Sequence, residues 1–169
     1  MDYKNTVEKI FESGKDSLDD MEVFIEQEKE IEIDVFEGEI DKYNISESGG
    51  LSFRGVSNGK IGYSYTEKID ESSVNLIIKD AVENGKYIDS LDKEEIFSGS
   101  KEYEELNLYN EELSKTPLDK KMEFVKSLEK EALSLDNRVV SIDGCSYGEV
   151  ESYRILQLSL IHISEPTRH

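Results

Sequence analysis

The chain has 169 residues, 36% of them hydrophobic, enough to bury one ordinary core, so a single domain is the expectation. Lys and Arg total 20 against 39 Asp and Glu, a formal net charge of −19 that repels phosphate backbones and argues against direct nucleic-acid binding by this segment. One cysteine, Cys145, excludes an internal disulfide, the opening MDYKNTVEKI lacks a signal-peptide apolar run, and no window nears the roughly 18 apolar residues of a membrane span, so a cytoplasmic chain is expected.

Tyr3, Val7, Ile10 and Phe11 share one helical face, and Gly14 ends a short amphipathic helix. From Met21 the period becomes two. Val23 and Ile25, then Ile31, Ile33 and Val35, alternate with Glu30, Glu32 and Asp34 as a strand with one solvated face, and Tyr43 and Ile45 continue the alternation past Gly38. Gly49-Gly50 reads as a turn or bulge between strands, because glycine admits positive φ. Leu51 and Phe53 start the next strand, Ser57-Asn58-Gly59 supplies a tight turn, and Ile61, Tyr63 and Tyr65 return, the tyrosines reading as sheet packing.

Asp70 caps a helix whose Val74, Ile77, Ile78, Ala81 and Val82 repeat at three and four, with Gly85 at its stop. The acidic stretch 87–115 has no sustained period and reads as a surface connector. Thr116-Pro117-Leu118-Asp119 opens a third helix, with threonine as the cap and proline in the first turn, burying Leu118, Met122, Val125, Leu128 and Ala132. Val139, Val140 and Ile142 read as a strand, Asp143-Gly144 as a turn, and alternation resumes from Glu149 to Leu156. The order predicts an α+β domain, an antiparallel-rich twisted sheet with helices packed on it.

The tail from Leu158 to Arg168, LSLIHISEPTR, matches the in-frame translation of a transposase adapter used in sequencing libraries over all eleven residues. The expectation is therefore a natural chain over 1–157, truncated at its C-terminus, and an adapter-derived tail over 158–169. Both histidines, His162 and His169, fall in that tail, which leaves 1–157 without an imidazole.

Metal-assisted hydrolysis needs imidazoles or carboxylates converging on one ion and a base for its water, so no catalytic, cofactor or metal site is assigned here. Glu30, Glu32 and Asp34 share a strand face that suits a hard cation, but nothing fixes a loop around an ion and the face reads as solvated. Cys145, without a base, reads as a small structural residue in a turn. Ser46, Ser48 and Ser146 lack a histidine partner for a triad, and Gly49-Gly50 lacks the lysine and helix start of a phosphate loop.

The segments IDVFEGEID, GGLSFRGV, SNGKIGYSYT and VNLIIKDAVENGKYI follow one another in the order found in the N-terminal domain of the TldD/PmbA family, the proteins once called modulators of DNA gyrase. ELNLYNEELSKTPLDKKMEFVKSLEKEAL and VVSIDGCSYGEVESYRIL also resemble the family, its PmbA-like branch above all, so the resemblance covers Thr6 to Leu156. It implies a fragment of a metallopeptidase-related protein acting in proteolysis of extended or unfolded peptides. The family's metal motif, H-E-x-x-x-H, lies in the C-terminal portion of the TldD member and is absent here, so the fragment is expected to be an inactive scaffold. The resemblance further implies a divalent metal, zinc, in the catalytic subunit, and a TldD-type partner or a homo-oligomer. A free-standing acidic interaction domain without peptidase activity is the alternative.

Overall fold

The computed structural model describes residues 3–89, 95–100 and 102–158. Its elements run α1 (Lys4–Gly14), β1 (Asp20–Phe36), β2 (Glu39–Ser57), β3 (Lys60–Thr66), α2 (Val74–Lys86), α3 (Glu111–Lys115), α4 (Leu118–Ser134) and β4 (Cys145–Leu158). The strands form one antiparallel sheet in the order β3-β2-β1-β4. With helices packed on that sheet, the α+β expectation holds. Two hairpins account for three strands. Glu37 and Gly38 have φ of 52° and 78°, Asn58 and Gly59 of 54° and 73°, and paired positive φ values give tight turns whose twist matches the flanking strands.

The described residues divide into two compact units built from interleaved segments, those up to 27, between 49 and 107 and from 153 to 158 in the first and 28–48 and 108–152 in the second. In the first unit, Val7 and Ile10 of α1 and Val74, Ile77, Ile78 and Ala81 of α2 are buried with Val23, Ile25, Leu51 and Phe53 of the sheet. The helix periodicity and the strand alternation meet in this one cluster, each apolar face covering the other. Asp70 accepts the Ser72 N–H at 2.8 Å and starts a 3-10 turn, Glu71–Ser73, that leads into α2. Leu158, first residue of the tail read as adapter-derived, closes β4 and is buried with Val56, Ile61 and Ile96, whereas the remainder of that tail, His162 and His169 included, lies outside the described residues.

Three glycines depart from the sequence reading. Gly49 and Gly50 lie inside β2 with neither at positive φ, so they are not a turn between strands. Their need is room: a Cβ on Gly49 would stand 2.7 Å from the Glu26 carbonyl oxygen, and one on Gly50 would enter the Tyr65 ring, 2.5 Å from Cζ. Likewise Gly85 is not a left-handed stop, since α2 continues to Lys86 and is capped by Tyr87 at φ −93°. It lies buried against β3, where Gly62 meets the α2 backbone.

In the second unit, Val125 of α4 is buried with Ile33 and Val35 of β1, and Ile31, Ile40, Leu118, Met122, Cys145 and Tyr147 pack around them. The connector expected over 87–115 contains a helix, α3, because the Asn110 side chain accepts the Glu112 and Leu113 N–H groups, each at 3.1 Å, and nucleates a turn. Thr116 does not cap α4: its hydroxyl donates to the Glu112 carbonyl of α3 at 2.9 Å. Pro117 holds the N-cap position instead, its carbonyl accepting from Lys120 and Lys121. The expected stripe also shifts, with Leu128 left 40% exposed and Lys121 and Glu129 buried in its place. No strand forms at Val139–Ile142; Val140 is 87% exposed, and the pairing falls to β4 from Cys145 onward.

Candidate functional site

β2 is 19 residues long and β3 only 7, so β3 covers little of its flank. Their pairing runs from Leu51 opposite Thr66 to Ser57 opposite Lys60. From Glu39 to Gly50, β2 has β1 as its neighbour on one side and, among the described residues, no strand on the other. Along such an edge the main-chain N–H and C=O groups that point outward have only water to pair with, and they form a template for another strand. Within the second unit this edge runs Glu39–Ser48, every residue exposed but the half-buried Ile40.

The tip of the hairpin is held by α4. The Gly38 N–H donates to the Glu129 carboxylate at 2.6 Å, and Lys126 pairs with Glu39 at 3.1 Å. Glu129 is 3% exposed, so this carboxylate is committed to the turn. A fixed edge loses little conformational entropy when a ligand strand joins it.

On the face of β1, Glu30, Glu32 and Asp34 all act on one lysine, Lys42 of β2, with Glu32 alone in an ion pair with it. Lys42 donates to Glu32 at 2.5 Å, and that hydrogen bond first, then the charges of Glu32, Asp34 and Glu30, hold its ammonium above the usual lysine value. The Ser46 hydroxyl donates to Glu30 at 3.5 Å. Cys145 stands at the first position of β4 rather than in a turn, half-buried, with its thiol toward the Val125 carbonyl at 3.7 Å. Among the described residues no group of three or more His, Cys, Asp or Glu side chains could hold a metal ion.

The sequence reading missed a buried polar network between α4 and β4. Lys121 of α4 pairs with Glu149 of β4 at 2.5 Å, the side chains 4% and 9% exposed, and the Tyr147 hydroxyl donates to the same carboxylate. Burial, then the Glu149 bond, pushes the Tyr147 phenol up to about 12. For Glu149 burial alone acts upward, but hydrogen bonds from Lys121 and Tyr147 together hold the carboxyl below its ordinary value. The available signal was Lys121 and Glu129 recurring within the apolar stripe of α4, where unpaired charge is not tolerated.

In the first unit, Tyr63 and Tyr65 are 51% and 61% exposed, and the Tyr65 ring lies on the sheet over Gly50 of β2. They line an open groove of about 700 Å³ with Phe24, Ser52 and the Arg54–Glu22 pair. That pair is a fork, Nε and Nη2 of Arg54 meeting the two Glu22 oxygens at 2.6 and 2.5 Å. The Glu22 hydrogen bond is the chief reason the guanidinium is raised above its usual value. No helix of the described residues is long and apolar enough to cross a membrane.

Residues 21–85 match a family model described as PmbA/TldA metallopeptidase domain 1. An uncharacterized protein of Methanocaldococcus jannaschii is 24% identical over 160 residues, which are 94% of this chain and 36% of that protein. Among solved structures, the chain resembles a proposed modulator of a DNA gyrase from Thermotoga maritima, with a TM-score of 0.80, 20% identity, and coverage of 94% of this chain and 36% of the other. TldE from Thermococcus kodakarensis gives 0.74 at 19% identity, covering 92% and 35%. A proposed modulator of DNA gyrase from Bacteroides thetaiotaomicron gives 0.72 at 21%, covering 92% and 36%. At these identities the structures share the fold, and the chain spans only 36% of the length of the curated relative.

Proposed function

We propose, because residues 21–85 belong to the PmbA/TldD family as its first domain, that the chain is the N-terminal part of a metallopeptidase-family subunit that presents a sheet edge to extended or unfolded peptides without catalysing their hydrolysis. The observation that carries this is the open flank of β2, Glu39–Ser48, anchored at its tip by Glu129 and Lys126. A peptide added there would pair through main-chain hydrogen bonds, which suits an unfolded substrate because the contacts do not depend on its side chains.

In this reading proteolysis belongs to a longer protein in the cytoplasm. A zinc-dependent catalytic subunit of the TldD type, or a second copy, completes the assembly. The PmbA-like branch is the assignment for this chain, resting on its α4 and β4 segments. A second reading, an acidic interaction domain without peptidase involvement, draws on the net charge of −19.

The test is fluorescence anisotropy of a labelled ten-residue extended peptide with the full chain, beside the same peptide N-methylated at successive amides, so that neither of its edges can donate. The expected result is binding that N-methylation abolishes. Equal binding of the two peptides, or none of either, would overturn the edge reading.

A further inference from the structure

We infer, resting on the edge reading above, that the flank of β2 selects basic extended peptides, segments with Lys or Arg at alternate positions. The arm formed by residues 28–48 carries eight Asp and Glu residues against two lysines. Both lysines are engaged, Lys29 with Glu47 at 3.8 Å and Lys42 with Glu32 at 2.5 Å, and Lys126 of α4 takes Glu39. Among the described residues no ammonium or guanidinium group lies within 4.0 Å of Glu28, Glu30, Asp34, Glu37 or Asp41. The edge thus keeps a surplus of negative charge after its internal pairing.

Spacing makes that surplus legible to an added strand. Residues two apart on a strand share a face at a repeat of about 6.8 Å, the same repeat as alternate side chains of a peptide. A strand added to β2 would lie about 4.8 Å from it and about 10 Å from β1, within a Debye length of the β1 carboxylates at 0.1 M salt. Opposite charges across neighbouring strands favour pairing and like charges oppose it. The same field therefore repels a second copy of this acidic arm, which names a basic peptide rather than another protomer as the occupant.

The probes are three ten-residue labelled peptides with identical apolar positions and Lys, Gln or Glu at four alternating sites, titrated into the full chain. At low salt the Lys peptide is expected to bind at least about tenfold tighter than the Glu peptide, with Gln between, and the gap to close at about 0.5 M NaCl. Neutralising the arm with Glu30→Gln, Asp34→Asn and Asp41→Asn, surface changes whose fold is checked by circular dichroism, is expected to narrow the gap without abolishing Gln-peptide binding. Equal, N-methylation-sensitive affinities for all three peptides would overturn the charge inference and leave the edge reading standing. Binding of no peptide would overturn the edge reading itself. Lys-peptide binding that survives N-methylation would overturn both, as general attraction to an acidic protein.

Discussion

Replacing Gly62 by alanine isolates the contact that seats α2 on the sheet. The new Cβ would stand 2.7 Å from the Ala81 carbonyl carbon and 2.8 Å from the Gly85 nitrogen, and closer still to the Ala81 oxygen. These are backbone atoms, so no rotamer change relieves them. The Ala81 oxygen sets the displacement, so restoring contact requires lifting α2 by more than about 1 Å, and a gap of about 1 Å forfeits up to roughly half of the dispersion energy on the facing side chains. Those side chains are Val74, Ile77, Ile78 and Ala81, all in the main core of the first unit. Overpacking of this kind costs about 1–3 kcal/mol, and rigid backbone obstacles put Gly62→Ala near ~3 kcal/mol. For a chain of this size that lowers Tm by roughly 6–12 °C. Gly85→Ala is the control: its Cβ meets nothing nearer than 3.4 Å, and alanine gains up to about 1 kcal/mol of helix propensity, so it is expected to be neutral or mildly stabilising. Thermal and urea unfolding followed by circular dichroism measure both. A Tm for Gly62→Ala within about 2 °C of the parent, or equal damage from Gly85→Ala, would refute the reasoning.

Further outcomes follow from the second unit and the groove. Lys121→Met strands a buried carboxylate and is expected to cost about 3–5 kcal/mol, whereas Lys121→Met with Glu149→Leu is expected to recover most of it; equal losses in the two variants would count against a buried pair. Tyr147, held protonated in the folded state to about 12, contributes stability that is complete below the unfolded phenol value and lost as pH rises from there toward about 12. Alkaline unfolding of the parent should show that loss and Tyr147→Phe should lack it. Glu149, held low, contributes in the opposite sense, its share present above the unfolded carboxyl value and lost on acidification through the folded one, which Glu149→Gln should remove. Arg54→Lys keeps the charge but loses the fork to Glu22 and should destabilise by about 1 kcal/mol in urea titration, with no loss indicating that the fork is decorative.

Strand alternation and helix period were legible because they are local. Val23, Ile25, Leu51 and Phe53, read as sheet residues, and Val7, Ile10 and Ile77, read as helix residues, form one core. The Asn58-Gly59 turn was legible for the same reason, since the residues themselves tolerate the required φ. What sequence misjudged was decided by neighbours distant along the chain. Gly49 and Gly50 read as turn signals, yet each answers to a backbone or ring approaching from elsewhere, and Gly85, read as a stop, lies inside α2. Val139 and Val140 had strand composition but no strand to pair with. Lys121 and Glu129 gave no apolar signal because their burial depends on Glu149 and on the Gly38 N–H. The openness of the β2 edge follows from β3 ending opposite Leu51, a length mismatch that no residue in Glu39–Ser48 announces.

Amide hydrogen exchange along β2, read residue by residue with and without saturating Lys peptide, tests the central claim most directly. A peptide added as a strand should slow exchange at alternate residues between Glu39 and Ser48 and leave Leu51–Ser57, already paired with β3, unchanged. Protection confined to β3 or to the groove at Tyr63 and Tyr65, with Glu39–Ser48 exchanging as in the free chain, would contradict it.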